Sequence, residues 1–87
     1  MNKLYVKVEV VFDEYGNVKP QRIIWKDGTK YDIDYITDVR MAPSLKSGGY
    51  GDRYTIYVCG RQRYLFFERN SNVWNNTVGK WFIEGVA

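Results

Sequence analysis

Eighty-seven residues, 45% hydrophobic and 17% aromatic, make one folded domain and leave no room for a second. With no histidine and one cysteine, the chain cannot build Ser-His-Asp or Cys-His catalysis, a zinc site or an internal disulfide. The net charge of +3 is carried by the second half: residues 1–44 hold seven basic and seven acidic groups, residues 45–87 six and three.

In residues 3–12, Leu4, Val6, Val8, Val10 and Phe12 share one face and Lys7 and Glu9 the other, the period-two pattern of a half-buried strand. That alternation fits neither a signal peptide nor a membrane span, so a soluble, cytoplasmic protein is expected. DEYGNVKP reads as a loop, with Gly16 supplying the turn and Pro20 ending it. In RIIWKDGTKYDID, Asp27-Gly28 signals a two-residue type I′ hairpin, because glycine tolerates the positive φ that this turn demands. That register pairs Lys26 with Thr29, Ile24 with Tyr31 and Arg22 with Ile33. It places Ile24, Tyr31 and Ile33 on the core side, and Ile23 and Trp25 on the other.

YITDVRMAPSLKSGG reads as a weaker strand that gives way to a loop at Pro43, with residues 46–51 as a connector. A second hairpin follows in RYTIYVCGRQRYLFFE, with Gly60-Arg61 as a type II′ turn and Cys59 as a small hydrophobe on its first strand. Here Ile56 faces Leu65 and Tyr54 faces Phe67 on one side, while Tyr57 faces Tyr64, Thr55 faces Phe66 and Arg53 faces Glu68 on the other. Residues 70–72 mark a turn, and GKWFIEG closes the chain as a strand. No stretch carries the i, i+3, i+4 pattern of an amphipathic helix, although a helical turn is allowed for at 43–47 or 70–77. The fold class is therefore all-β: a small five- or six-stranded antiparallel barrel, Src-homology-3-like or OB-like.

No motif in the chain marks an enzyme or a cofactor site. Lys46-Ser47 precede their glycines and a strand follows them, so the helix N-terminus on which a phosphate loop depends is missing. GGYGDRYTIYV echoes the first ribonucleoprotein motif, but Asp52 and Thr55 stand where its stacking aromatics belong. Asp32 and Asp34 lie two apart and could hold a cation; a solvated strand face is the simpler reading.

The candidate binding surface is the non-core side of the second hairpin: Arg53, Tyr57, Tyr64 and Phe66, with Arg61 at its tip. Aromatic and arginine side chains in that arrangement suit a protein interface, with a homodimer by edge pairing as one form of it. The alternative is weak, nonspecific binding of nucleic acid through Arg53, Arg61, Arg63, Arg69 and Lys80, with bases stacking on the aromatics. A third reading has this side covered by a loop or by Trp74.

The spaced pattern Trp25-x-x-Gly28-x-x-Tyr31-x-Ile33, then Asp38-Val39-Arg40, Gly51-x-Arg53-Tyr54-Thr55, Leu65-Phe66-Phe67-Glu68 and Trp81-Phe82-Ile83-Glu84, resembles small uncharacterised proteins of Gram-positive bacteria classed as domains of unknown function. The likeness spans roughly residues 20–84. It implies a self-contained, mostly β bacterial cytoplasmic domain and carries no functional residue with it.

Overall fold

The structure is a computed structural model that describes residues 2–43, 50–69 and 78–85. The alternating segments become seven strands: β1 (Asn2–Phe12), β2 (Val18–Ile24), β3 (Lys30–Asp32), β4 (Tyr35–Pro43), β5 (Tyr50–Val58), β6 (Arg61–Arg69) and β7 (Gly79–Gly85). They form one antiparallel sheet in the order β3-β2-β1-β7-β6-β5-β4. Among the described residues no helix is long and apolar enough to cross a membrane. The turn expected at 70–72, the helical turn allowed at 70–77, residues 44–47 of the one allowed at 43–47, connector residues 46–49 and Trp74 lie outside the described residues; Pro43 itself ends β4. Tyr50 and Gly51, read as the end of that connector, already belong to β5.

The two ends of the sheet, β3 and β4, are separated in the chain only by Ile33-Asp34. The Ile33 N–H donates to the Gln21 carbonyl of β2 at 2.9 Å, and the Asp34 N–H donates to the Tyr57 carbonyl of β5 at 2.8 Å. This link ties the first end of the sheet to the last and curls it into a half-barrel. The Tyr54 hydroxyl of β5 donates across the interior to the Val18 carbonyl of β2 at 3.4 Å. The fold is thus all-β and barrel-like as expected. Among the described residues its strands number seven rather than the five or six expected.

Curling gives the sheet an inside and an outside. Inside, Ile56 and Leu65 are fully buried beside Ile23, Tyr54 and Trp81, with Val6, Val8, Ile36, Val58, Phe67 and Ile83 packed against them. Each fully buried aliphatic side chain there stabilises the fold by about 1.5–3 kcal/mol. Leu4, Val6 and Val8 of β1 turn inward, and beyond them Val10, Val11 and Phe12 are exposed.

The first hairpin differs from its expected register. Trp25 N–H donates to the Thr29 carbonyl at 2.8 Å and Gly28 N–H to the Trp25 carbonyl at 2.9 Å, which defines a three-residue loop. Only Gly28 within it has a positive φ, +88°, so a type I turn with a bulge replaces the type I′ turn. Ile23 now lies opposite Tyr31 and Ile24 opposite Lys30, a slip of one residue. Such a slip reverses the face of a strand, so Ile23 enters the core where Ile24 was expected.

The second hairpin slips by two. Cys59 and Gly60 form its turn with φ of +52° and +75°, both positive as type I′ requires. Tyr54 therefore faces Leu65, Thr55 faces Tyr64 and Arg53 faces Phe66. A shift of two keeps every side chain on its expected side. Cys59 is a turn residue, exposed to solvent, rather than a strand hydrophobe.

Pro20 also moves, from the end of a loop to the interior of β2. Glu9 lies opposite Arg22 and Val10 opposite Pro20, so Gln21 is the extra residue of a bulge. β3 pairs only with Arg22, Ile23 and Ile24, so the missing Pro20 N–H faces no neighbouring strand on that side. The turn before it is held by the Asp13 carboxylate, which accepts the N–H groups of Tyr15 at 2.9 Å and Asn17 at 2.8 Å.

Candidate functional site

Residues that alternate with the core on β4–β7 and β1 share the outer side of the barrel. Cross-strand pairing sets Arg53, Phe66, Phe82 and Tyr5 in one row over β5, β6, β7 and β1. Thr55 faces Tyr64 beside that row, and Tyr35, Tyr57 and Gln62 face one another beyond it. The aromatic rings make an almost continuous belt. Phe66 stacks on Phe82 with centroids 4.9 Å apart, Tyr5 meets Phe82 edge-on at 6.0 Å, and Tyr35 stacks on Tyr57 at 4.7 Å. The Tyr57 hydroxyl donates to Gln62 Oε1 and Gln62 Nε2 donates to the Tyr64 hydroxyl, each at 3.2 Å, joining the last two tyrosines.

Cations cover three of these rings. Lys3 Nζ sits 5.0 Å from the centroid of Phe82, the Arg53 guanidinium carbon 4.9 Å from that of Tyr64, and Lys80 Nζ 5.1 Å from that of Tyr5. Each such contact contributes about 0.5–1 kcal/mol at an exposed site. Glu68 balances them, accepting from the Tyr5 hydroxyl at 2.8 Å and pairing with Lys3 at 3.3 Å. The hydrogen bond from Tyr5, followed by the charge of Lys3, holds the Glu68 carboxyl below its ordinary range, and the same bond raises the Tyr5 phenol. Arg53 is half-buried, and its Nε is buried with no hydrogen-bond acceptor among the described residues.

Four of the five residues expected at the site, Arg53, Tyr57, Tyr64 and Phe66, come together on this surface. Tyr64 is 44% exposed and the other three are half-buried, so the face is open to solvent over Tyr64. Arg61 is not part of it. It lies opposite Val58, at the hairpin tip and on the core side of the strand pair. Sequence reasoning missed Tyr5, Phe82, Tyr35 and Lys3, and named Lys80 only for the nucleic-acid alternative. The signal for Tyr5 and Lys3 was their alternation with Leu4 and Val6; for Phe82 and Lys80 it was their alternation with Trp81.

The basic residues expected to form a nucleic-acid stripe separate instead. Arg53 and Lys80 are on the outer side, whereas Arg61 and Arg63 alternate with it and Arg69 pairs with Asp52 at 3.0 Å. Asp32 is engaged by Arg22 at 2.6 Å and Asp38 by Arg40 at 2.8 Å. Among the described residues no three acidic or cysteine side chains gather as metal ligands would.

A second feature lies on the seam of the barrel. Where β2 and β4 diverge beyond Ile33-Asp34, a cleft of about 630 Å³ opens between Val18–Gln21 and Tyr35–Val39. Val18, Ile33, Ile36 and Val39 give it an apolar wall; Asp52, Tyr54 and Arg69 give it a polar one. Burial, with the charge of Asp52 adding to it, raises the Tyr54 phenol.

Compared with known protein families, curated proteins and solved structures, the chain matches none.

Proposed function

We propose that this domain is a non-enzymatic protein-interaction module, and that the outer aromatic belt around Tyr64 is the surface it presents. The observation that carries this reading is a belt of aromatic rings on the outer side of the sheet, with Tyr5, Tyr35 and Tyr64 exposed over a buried Phe82 and cations laid over three of the rings. Tyrosine and arginine dominate the energetically important centres of protein interfaces, because they combine a large apolar contact with a polar end. A partner with acidic and aromatic side chains fits it: carboxylates to meet Lys3, Lys80 and Arg53, rings to extend the stack. Protein is favoured over nucleic acid because the basic residues divide between two sides of the barrel and Glu68 sits within the belt. A backbone-tracking groove needs its positive charge on one path.

The test is site-specific photo-crosslinking in cells of the source organism, with benzoylphenylalanine at Tyr64 and, as a control, at Tyr31 on the inward-turned side of β3. A single protein adduct from position 64, absent from position 31 and lost on Arg53→Glu, is expected. An adduct that nuclease removes favours nucleic acid instead, and equal labelling from both positions rejects the belt as an interface.

A further inference from the structure

The sheet has two ends of unequal length. β3 offers three residues, but β4 runs for nine, Tyr35–Pro43, and among the described residues pairs with β5 alone. Free edges of this kind pair with other strands unless they are shortened, charged or bent. β4 is bent at Thr37, the extra residue between the pairs Ile36–Ile56 and Asp38–Thr55, so its regular part begins at Asp38. There the side chains alternate. Val39 and Met41 lie on the core side of the sheet, 53% and 64% exposed, while Asp38 and Arg40 lie on the outer side.

From this edge we infer that β4 pairs antiparallel with β4 of a second copy of the chain, about a two-fold axis at Val39. The occupant is specified by charge. An antiparallel two-fold pairing centred on Val39 sets Asp38 of each copy directly opposite Arg40 of the other. The Asp38–Arg40 pair, 2.8 Å apart within one strand, becomes a four-membered ring of alternating charge. Arg40 already lies opposite Arg53 on β5, so a second carboxylate arriving on its free side meets two cations. On the core side the two Val39 side chains meet at the axis, and each also lines the seam cleft of its own copy. The ladder is short: the bend at Thr37 of each copy falls opposite Met41 of the other and so limits both ends. It is therefore a reversible dimer, whose weight depends on concentration by mass action. It uses the sheet edge and not the aromatic belt, so it stands or falls separately from the function proposed above.

Sedimentation equilibrium across a roughly hundredfold range of concentration reads the dissociation constant. Asp38→Arg and Arg40→Asp each set like charges opposite one another twice, and each is expected to weaken the dimer at least about tenfold. The double swap D38R/R40D restores the ring and returns the constant to within about threefold of wild type. Val39→Lys, with two ammonium groups at the axis, abolishes the dimer while circular dichroism shows the fold kept. A wild-type chain at monomer mass throughout overturns the inference. So does a dimer indifferent to the reversals, or one that the double swap fails to restore.

Discussion

Gly79 opens β7 opposite Arg69, at a point where the backbone of β6 leaves no space for a side chain. A Cβ at this position would stand 2.5 Å from the Glu68 carbonyl oxygen and 2.7 Å from Cζ of Phe67. The oxygen belongs to the strand that pairs with β7, and the Phe67 ring is held against Trp81 with centroids 4.8 Å apart. Neither yields without opening the ladder or the ring contact, so Gly79→Ala carries the cost of overpacking, about 1–3 kcal/mol. In a domain of this size each kcal/mol moves the melting temperature by about 4–8 °C, so a fall of roughly 5–20 °C is expected. Gly51 is the internal control. It is buried on β5, but a Cβ there meets only the Phe67 carbonyl oxygen, at 3.6 Å, an ordinary contact. Gly51→Ala is therefore neutral, or stabilising by about 0.4–1 kcal/mol through the unfolded chain. Differential scanning calorimetry on the two variants decides the matter. A Gly79→Ala protein that melts with wild type, or no lower than Gly51→Ala, refutes the close approach of β6 and β7.

Ile23→Ala is expected to cost about 2–5 kcal/mol and Ile24→Ala distinctly less, because Ile23 is buried and Ile24 only partly so; equal urea midpoints would contradict the register of β2 and β3. Cys59 has a φ of +52° ahead of Gly60, a conformation asparagine adopts far more readily, so Cys59→Asn raises stability by about 0.5–1 kcal/mol in urea unfolding. A loss would show that the turn is not type I′. The carboxyls of Asp13, Asp27 and Glu68 are all depressed in the fold, by hydrogen bonds from the Asn17 backbone, the Thr29 backbone and the Tyr5 hydroxyl respectively. Stability from a depressed carboxyl is complete above its unfolded value, near about 4, and is lost as pH falls through the lower folded value. The urea midpoint should thus hold from neutral pH down to about 5 and drop below about 4, with the drop shallower in Asp13→Asn and Glu68→Gln. A midpoint that does not change with acid contradicts these bonds.

The two hairpins show what the sequence could and could not disclose. Alternation is a local property, and it marked each strand and the face of β5 and β6 correctly although the turn lay one residue earlier than expected. Moving a two-residue turn by one position shifts the pairing by two, which preserves facing. In the first hairpin the loop length itself was misread. Asp27 does not take the positive φ of a type I′ turn; its carboxylate accepts the Thr29 N–H at 2.9 Å, and the loop gains Lys26. The pairing moved by one residue, and the core position passed from Ile24 to Ile23.

At the candidate site, Arg53, Tyr57, Tyr64 and Phe66 were legible because they lie within one hairpin. Arg61 was misplaced because the strand pair turns it to the core side at the tip. Tyr5, Phe82 and Tyr35 join from strands whose order in the sheet is a long-range property. The closing contact from Tyr54 to Val18, 36 residues away along the chain, is equally invisible to local pattern.

The most direct test of the proposed interface is the native mass of the chain in a gentle extract of the cells that make it, against Arg53→Glu/Tyr64→Ala and Tyr31→Ala proteins expressed at the same level. Wild type and Tyr31→Ala should run in an assembly heavier than a dimer of the chain and insensitive to nuclease, and Arg53→Glu/Tyr64→Ala should fall to the mass of the chain alone or its dimer. All three at that lower mass, or all three in the heavier assembly, would contradict a role for the aromatic belt in binding a protein partner.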